Sequence, residues 1–138
     1  MDIDITFPGG KHVAATVGAH TIETDQPLEL GGRDQAPAPF DLFLASIGTC
    51  AGIYALGFLQ ARGLSAEGLR LRQEVALDPD SHLARSVRLV LTLPPGLPEK
   101  YRSAILRAVE NCKVKKTIAA APEFRVVLAA EPGPTAHV

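Results

Sequence analysis

Alternating polar and apolar residues open the chain and predict antiparallel strands. Residues 2–7 alternate, residues 8–10 (Pro-Gly-Gly) mark a turn, and residues 12–17 and 19–24 continue the pattern. Runs of period two joined by short glycine-containing turns are typical of β-hairpins. The start of the chain therefore predicts a meander of three antiparallel strands.

A long loop and the most apolar stretch of the sequence follow. Residues 25–39 contain three prolines and two glycines and predict a loop, of a length that often carries function. Residues 40–62 predict a helix that ends at Gly63. Residues 42–60 carry no charge and are nearly long enough to span a bilayer. Their glycines and hydroxyl residues, between strand-like segments, favour instead a central helix buried by protein on all sides.

The second half of the chain predicts a hairpin, two helices and a last strand. Strands interrupted by helices and joined by short links favour an α+β fold over a parallel α/β sheet. We expect a single domain over residues 1–138, with residues 132–138 as a flexible tail. The predicted elements are strands over 69–77 and 85–93, helices over 99–110 and 113–120, and a final strand over 124–129.

Composition excludes several classes of function. The chain has 138 residues, of which 46% are hydrophobic and 21% charged, and its net charge is −1. Binding of nucleic acid through a basic surface is not expected, because no positive excess exists to neutralise phosphates. Aromatic residues make up only 5%, which also disfavours stacking on bases. The N-terminus lacks the pattern of a signal peptide, so we expect a cytoplasmic protein that does not bind membranes.

Two cysteines are the candidate reactive groups. Cys50 lies in the middle of the apolar helix, and Cys112 continues the apolar stripe of the second helix, so both thiols are expected to face inward and could meet. The alternative is that both are inert, since most buried cysteines are. Reactivity would need a neighbouring cation, and Arg33 or the lysines within residues 113–116 are candidates. The stripe comprises Tyr101, Ala104, Ile105, Ala108 and Val109.

Two stretches resemble the signature of the OsmC/Ohr family. The first is residues 31–50, GGRDQAPAPFDLFLASIGTC, in which a Pro-rich loop and an acidic residue precede a helix with small residues and a cysteine. The second is residues 110–114, ENCKV, in which another cysteine follows an amphipathic helix. The order of predicted elements agrees with this family over nearly the whole chain.

The resemblance implies an intertwined homodimer, with the long helices at its centre and each active site between the two subunits. It also implies a thiol-dependent peroxidase that reduces organic hydroperoxides in oxidative-stress defence. Cys50 would attack the peroxide and Cys112 would resolve the sulfenic acid to a disulfide, which an external dithiol would reduce. No metal or bound cofactor is implied.

Three departures from the best-characterised members place the chain nearer a less characterised OsmC-like branch. Residues 1–24 contain no Arg to stabilise the thiolate, so Arg33 is a candidate replacement. Asp41 stands where the family commonly has Glu, and Lys113 where many relatives have Pro. Asp41 lies half a turn away from Cys50 on an unbroken helix, so it would reach the thiol only from the other subunit or through a bend.

Two alternative functions stay open on the sequence. The first is a non-enzymatic dimer that binds a small apolar or thiol ligand, which the missing Arg would suit. The second is a metal site built from Cys50, Cys112 and either His12 or His20. The metal site is disfavoured because no close pair of ligands of the kind that zinc sites use is present.

Overall fold

The strands form two separate antiparallel sheets, with the long helix between them in the chain. A computed structural model describes residues 1–130, and the predicted flexible tail over 132–138 lies outside the described residues. The predicted mixed α+β architecture is confirmed. The elements are β1 Asp4–Gly9, β2 His12–Val17, β3 His20–Thr24, α1 Pro39–Ala61, β4 Arg70–Leu77, β5 Ala84–Thr92, α2 Arg102–Glu110 and α3 Lys113–Ala119, with 3₁₀ turns at Leu28–Leu30 and Glu99–Tyr101.

The first sheet is the predicted meander, in the order β1-β2-β3. Gly10 and Gly18 occupy its tight turns with φ of 57° and 59°, a conformation that glycine adopts without steric cost. Its strands bury only Ala14 and Thr24. Apolar side chains of this sheet, including Ile5, therefore remain exposed in a single protomer.

The hydrophobic core lies where α1 packs against α2 and the β4–β5 hairpin. One stripe of α1 faces inward, and Ala51, Ala55 and Leu59 are fully buried in it. Ile105 and Val109 meet this stripe from α2, as the helical spacing of α2 predicts. These contacts hold the middle of α1 against the C-terminal half of the fold, and Cys50 lies directly beside them in the sequence.

The opposite side of α1 is uncovered. The helix is long and apolar enough to cross a membrane by length and composition alone, and 28% of its most apolar window is buried. The expectation that protein surrounds this helix on all sides is wrong for a single protomer. The reason is geometric: within the described residues, α2, α3 and the β4–β5 hairpin are the elements that pack on α1, and they cover one side of it.

The predicted last strand over 124–129 is also wrong, because residues 121–130 form no regular element. The segment is fully exposed, with Phe124 at 85% and Val126 at 100% of their free surface. A strand exists only when its backbone pairs with a neighbouring edge. Within the described residues no strand pairs with this segment, so it has an alternating sequence but no inter-strand hydrogen bonds.

Candidate active site

Cys112 lies at the break between α2 and α3. Asn111 ends α2, and Cys112 adopts φ −50° and ψ 121°, which turns the chain before α3 begins at Lys113. Its side chain is fully buried, as the helical stripe predicts. The Cys112 Sγ lies 3.9 Å from the backbone oxygen of Ile47 on α1, so the thiol is seated against the long helix.

Cys50 faces this break from the middle of α1, and its side chain is partly exposed. Among its donors the backbone N–H of Val114 has the largest effect, the thiol of Cys112 comes next, and the N–H of Lys113 adds a smaller one. These donors favour the thiolate and hold the pKa of Cys50 below that of an ordinary thiol, although partial burial opposes them. The charge of Lys115 contributes in the same direction.

The arrangement places a thiol with a lowered pKa beside a second free thiol. Neither cysteine is in a disulfide. Amide N–H groups at the start of α3 point toward Cys50, and such groups stabilise anions. A thiolate that is open to solvent and has a second thiol within hydrogen-bonding reach can be oxidised and then form a disulfide. The lysines near residue 113 were candidates in the sequence, and the structure identifies Lys115 among them.

Gln73 on β4 fixes the segment of α1 that precedes Cys50. Its Nε2 donates to the backbone oxygen of Leu44 at 2.9 Å. Gly48 lies directly under the same side chain, and a Cβ there would be 2.5 Å from Gln73 Oε1. The sequence offered no signal for this contact, because Gln73 belongs to a strand that is distant in the chain and has no motif around it.

Asp41 and Arg33 lie elsewhere in the protomer. Asp41 is exposed in the first turn of α1, and among residues 1–130 its carboxylate has no hydrogen bond or ion pair. Arg33 is exposed in the loop before α1. The structure thus brings Cys50 and Cys112 together within one chain and does not place Asp41 or Arg33 beside them. Their predicted roles at the thiol would require a second subunit.

Asp25 is a structural residue that the sequence did not single out. Its carboxylate is buried and accepts backbone N–H groups from Gln26 at 2.7 Å, Arg33 at 3.2 Å and Gln35 at 3.3 Å. These bonds, that of Gln26 foremost, lower the pKa of Asp25. An aspartate that opens a loop rich in Pro and Gly often binds the backbone in this way, which is the signal that could have found it.

The histidines that a metal site would have used are engaged or remote. His12 pairs with Glu23 on the neighbouring strand, and His20 lies at the start of β3. Within residues 1–130, no group of three or more His, Cys, Asp or Glu side chains is placed to hold a metal ion.

Comparison with known proteins identifies relatives of this fold. Residues 32–127 match the family model for OsmC-like protein. A search of curated proteins finds no match to the sequence. A Psychrobacter arcticus protein described as osmotic-stress-induced and of the detoxification response superposes with a TM-score of 0.71 at 20% identity, over 83% of this chain and 85% of that chain.

Two further solved structures are similar. An OsmC-like protein from Mycoplasma pneumoniae has a TM-score of 0.68 at 14% identity, over 87% of both chains. An organic hydroperoxide resistance protein OsmC from Legionella pneumophila, also described as a predicted redox protein, has a TM-score of 0.54 at 23% identity, over 85% of this chain and 87% of that one. At these identities the likeness establishes the fold.

Proposed function

Because the chain belongs to the OsmC-like protein family, for which a redox or stress-response role is indicated, we propose that it is a thiol-dependent peroxidase of organic hydroperoxides. One observation carries the proposal. Cys50 is a partly exposed thiol with a lowered pKa, and it faces a second, buried thiol at Cys112. We place the activity in the cytoplasm, in defence against oxidative stress.

The first step is attack of the Cys50 thiolate on the peroxide. The sulfur bonds to the distal oxygen of the O–O group, the O–O bond breaks, and the leaving alkoxide takes a proton to become an alcohol. Cys50 is then a sulfenic acid. The N–H groups of Val114 and Lys113 support this step because they stabilise the thiolate that attacks.

The second step resolves the sulfenic acid. The Cys112 sulfur attacks the Cys50 sulfur, water leaves, and a disulfide forms. An external dithiol then attacks this disulfide, and two exchanges return both thiols while the dithiol becomes a disulfide. Burial supports Cys50 as the attacking thiol and Cys112 as the resolving thiol, because a peroxide from solvent reaches the partly exposed Cys50 before the fully buried Cys112.

The proposal includes a homodimer. The uncovered side of α1 presents Phe43 and Ile53, which are 45% and 58% exposed, and apolar residues of the 124–128 segment are exposed as well. A monomer in water rarely exposes so much apolar surface without a partner. In a dimer built around α1, Asp41 or Arg33 of one subunit would have a route to the Cys50 of the other.

The test counts thiols by intact mass. Only two cysteines are present, and Cys50→Ser controls for an oxygen gained at Met1, the one methionine of the chain. Reduced protein is treated with one equivalent of cumene hydroperoxide, and in parallel with hydrogen peroxide. Wild type should lose two hydrogens rapidly, faster with the organic peroxide. Cys112→Ser should stop at a gain of one oxygen on Cys50, and Cys50→Ser should not react. Survival of both wild-type thiols through minutes of excess peroxide would overturn the proposal.

A second function, a non-enzymatic dimer that binds a small apolar or thiol ligand, is favoured by one observation. A shallow apolar groove of about 550 Å³ runs along α1 beyond Cys50, past Tyr54 and Gly57, and ends at Arg62. In that case Cys50 would stay reduced in the assay above, and Cys50→Ala would bind the ligand as wild type does. Native mass spectrometry of the purified protein distinguishes the two functions.

A further inference from the structure

A polar cavity lies between the β1–β2 turn and the loop that precedes α1. Its volume is about 320 Å³, and neither cysteine lines it. That volume is at the lower end of the range for small-molecule sites, roughly 300–1,000 Å³. At about 30 Å³ for each water molecule in the liquid, it would hold roughly ten waters or a small organic ion. The side chains that matter for its chemistry are Lys11, His12, Asp25, Arg33 and Gln35.

The loop that forms one wall is held rigidly. The buried Asp25 carboxylate binds three backbone N–H groups of the loop, two of them from residues that line the cavity, Arg33 and Gln35. Gly32 packs so closely on Gln26 that a Cβ would lie 1.8 Å from the Gln26 backbone oxygen. The Asp34 N–H also donates to that oxygen at 3.0 Å. This loop contributes almost nothing to the core, so its dense hydrogen bonding serves to position polar groups.

The cavity offers donors to a ligand and has no free acceptor among its charged groups. Lys11 and Arg33 stand on different segments, and within residues 1–130 neither forms an ion pair with a carboxylate. Asp25 is the one carboxylate in the wall, and its oxygens are occupied by backbone N–H groups. His12 is paired with Glu23, which lies outside the cavity. Lys11 and Arg33 carry two positive charges and Asp25 one negative charge, so the charged groups of the wall keep a net positive charge for an oxyanion.

We propose that this cavity is a phosphate-binding site, for inorganic phosphate or for the phosphate group of a small monoester. A phosphate fits this wall better than a carboxylate does, because it presents more acceptor oxygens to the donors of Lys11 and Arg33. Arg33 supplies a planar fork that fits phosphate oxygens, and Lys11 supplies a compact charge. The site goes beyond the peroxidase function and uses neither thiol.

The test titrates the reduced full chain with inorganic phosphate at constant ionic strength and follows backbone amide signals by ¹H–¹⁵N NMR. Saturable shifts are expected at Gly10, Gly31 and Arg33, which line the cavity. Lys11→Gln and Arg33→Gln should each weaken binding about tenfold or more, the size of one charge-assisted hydrogen bond. Arg85→Gln, which removes an exposed arginine of β5 away from the cavity, is the matched control and should bind as wild type.

Two further measurements identify the source of the phosphate group and separate this site from the proposed peroxidase reaction. Glycerol phosphate binding more tightly than inorganic phosphate identifies a monoester, and equal or weaker binding identifies free phosphate. Cys50→Ser should bind phosphate as wild type, so the site can hold even if the peroxidase proposal fails. The proposal is wrong if acetate binds as tightly as phosphate, if shifts do not saturate, or if Arg85→Gln costs as much as Arg33→Gln.

Discussion

Replacing Gly48 with alanine tests how α1 is seated below Cys50. A Cβ at position 48 would come within 2.5 Å of Gln73 Oε1, so the amide must move. That movement breaks the 2.9 Å hydrogen bond from Gln73 Nε2 to the Leu44 oxygen. Gly52 on the same helix is the matched control, because a Cβ there would lie 3.9 Å from Leu71 Cδ2, an ordinary van der Waals contact.

The expected changes in the free energy of unfolding follow from two opposing effects. Alanine in place of glycine within a helix stabilises by about 1 kcal/mol, since glycine loses more backbone entropy on folding. Loss of the Gln73 hydrogen bond costs about 1 kcal/mol. Gly52→Ala should therefore raise the free energy of unfolding by about 1 kcal/mol. Gly48→Ala should leave it nearly unchanged, because the two effects offset each other.

The assay is urea denaturation followed by circular dichroism, at one fixed protomer concentration because a dimer is stabilised by mass action. The Gln73→Ala background supplies a second control, in which Gly48→Ala has no amide to displace and should gain about 1 kcal/mol. The wild type, the two single variants and the double variant form a double-mutant cycle. This cycle should show a coupling free energy of about 1 kcal/mol between positions 48 and 73. If Gly48→Ala has the same effect with and without Gln73, the packing explanation is refuted.

Three further predictions concern the thiol and the dimer. Because donors favour the Cys50 thiolate, its alkylation by iodoacetamide should reach half-maximal rate at lower pH in native protein than in urea, and Cys112→Ala, which removes one donor, should lie between the two. Relative to Cys50→Ser, the stability of reduced protein should rise with pH between the lowered pKa of Cys50 and that of an ordinary thiol, and this gain is lost below the lowered pKa. Ile53→Asp on the uncovered side of α1 should halve the mass in sedimentation equilibrium, whereas Leu83→Asp beside the β4–β5 turn should not; an unchanged mass for Ile53→Asp would contradict the proposed interface.

Local patterns in the sequence were sufficient for most of the elements. The long helix was predicted over 40–62 and is observed as Pro39–Ala61, and the hairpin strands agree within a residue at each end. The reason is that the long helix and the hairpin strands each pack one face against the core, and the spacing of apolar residues records which face that is. The helical stripe through α2 also predicted that Cys112 is buried, which is confirmed.

Long-range pairing could not be read from the same patterns. Residues 124–129 alternate as a strand does, yet a strand also needs an edge to pair with, and the described protomer offers it none. The uncharged helix predicted burial on all sides, yet one chain has too few elements to surround it. Both departures leave apolar surface exposed, and both are explained by the proposed second subunit.

For the candidate site, the sequence by itself identified Cys50 and Cys112 as the candidate reactive groups and, through the resemblance to the family, predicted that they act together. Only the tertiary structure decided that Cys50 faces the break at Cys112, that backbone N–H groups of Lys113 and Val114 supply the donors, and that Arg33 lines a separate cavity. Backbone N–H groups are present at every residue except proline, so no sequence pattern distinguishes the ones that point at a thiol. Their direction is set by how α3 is turned against α1, and that depends on packing between distant segments.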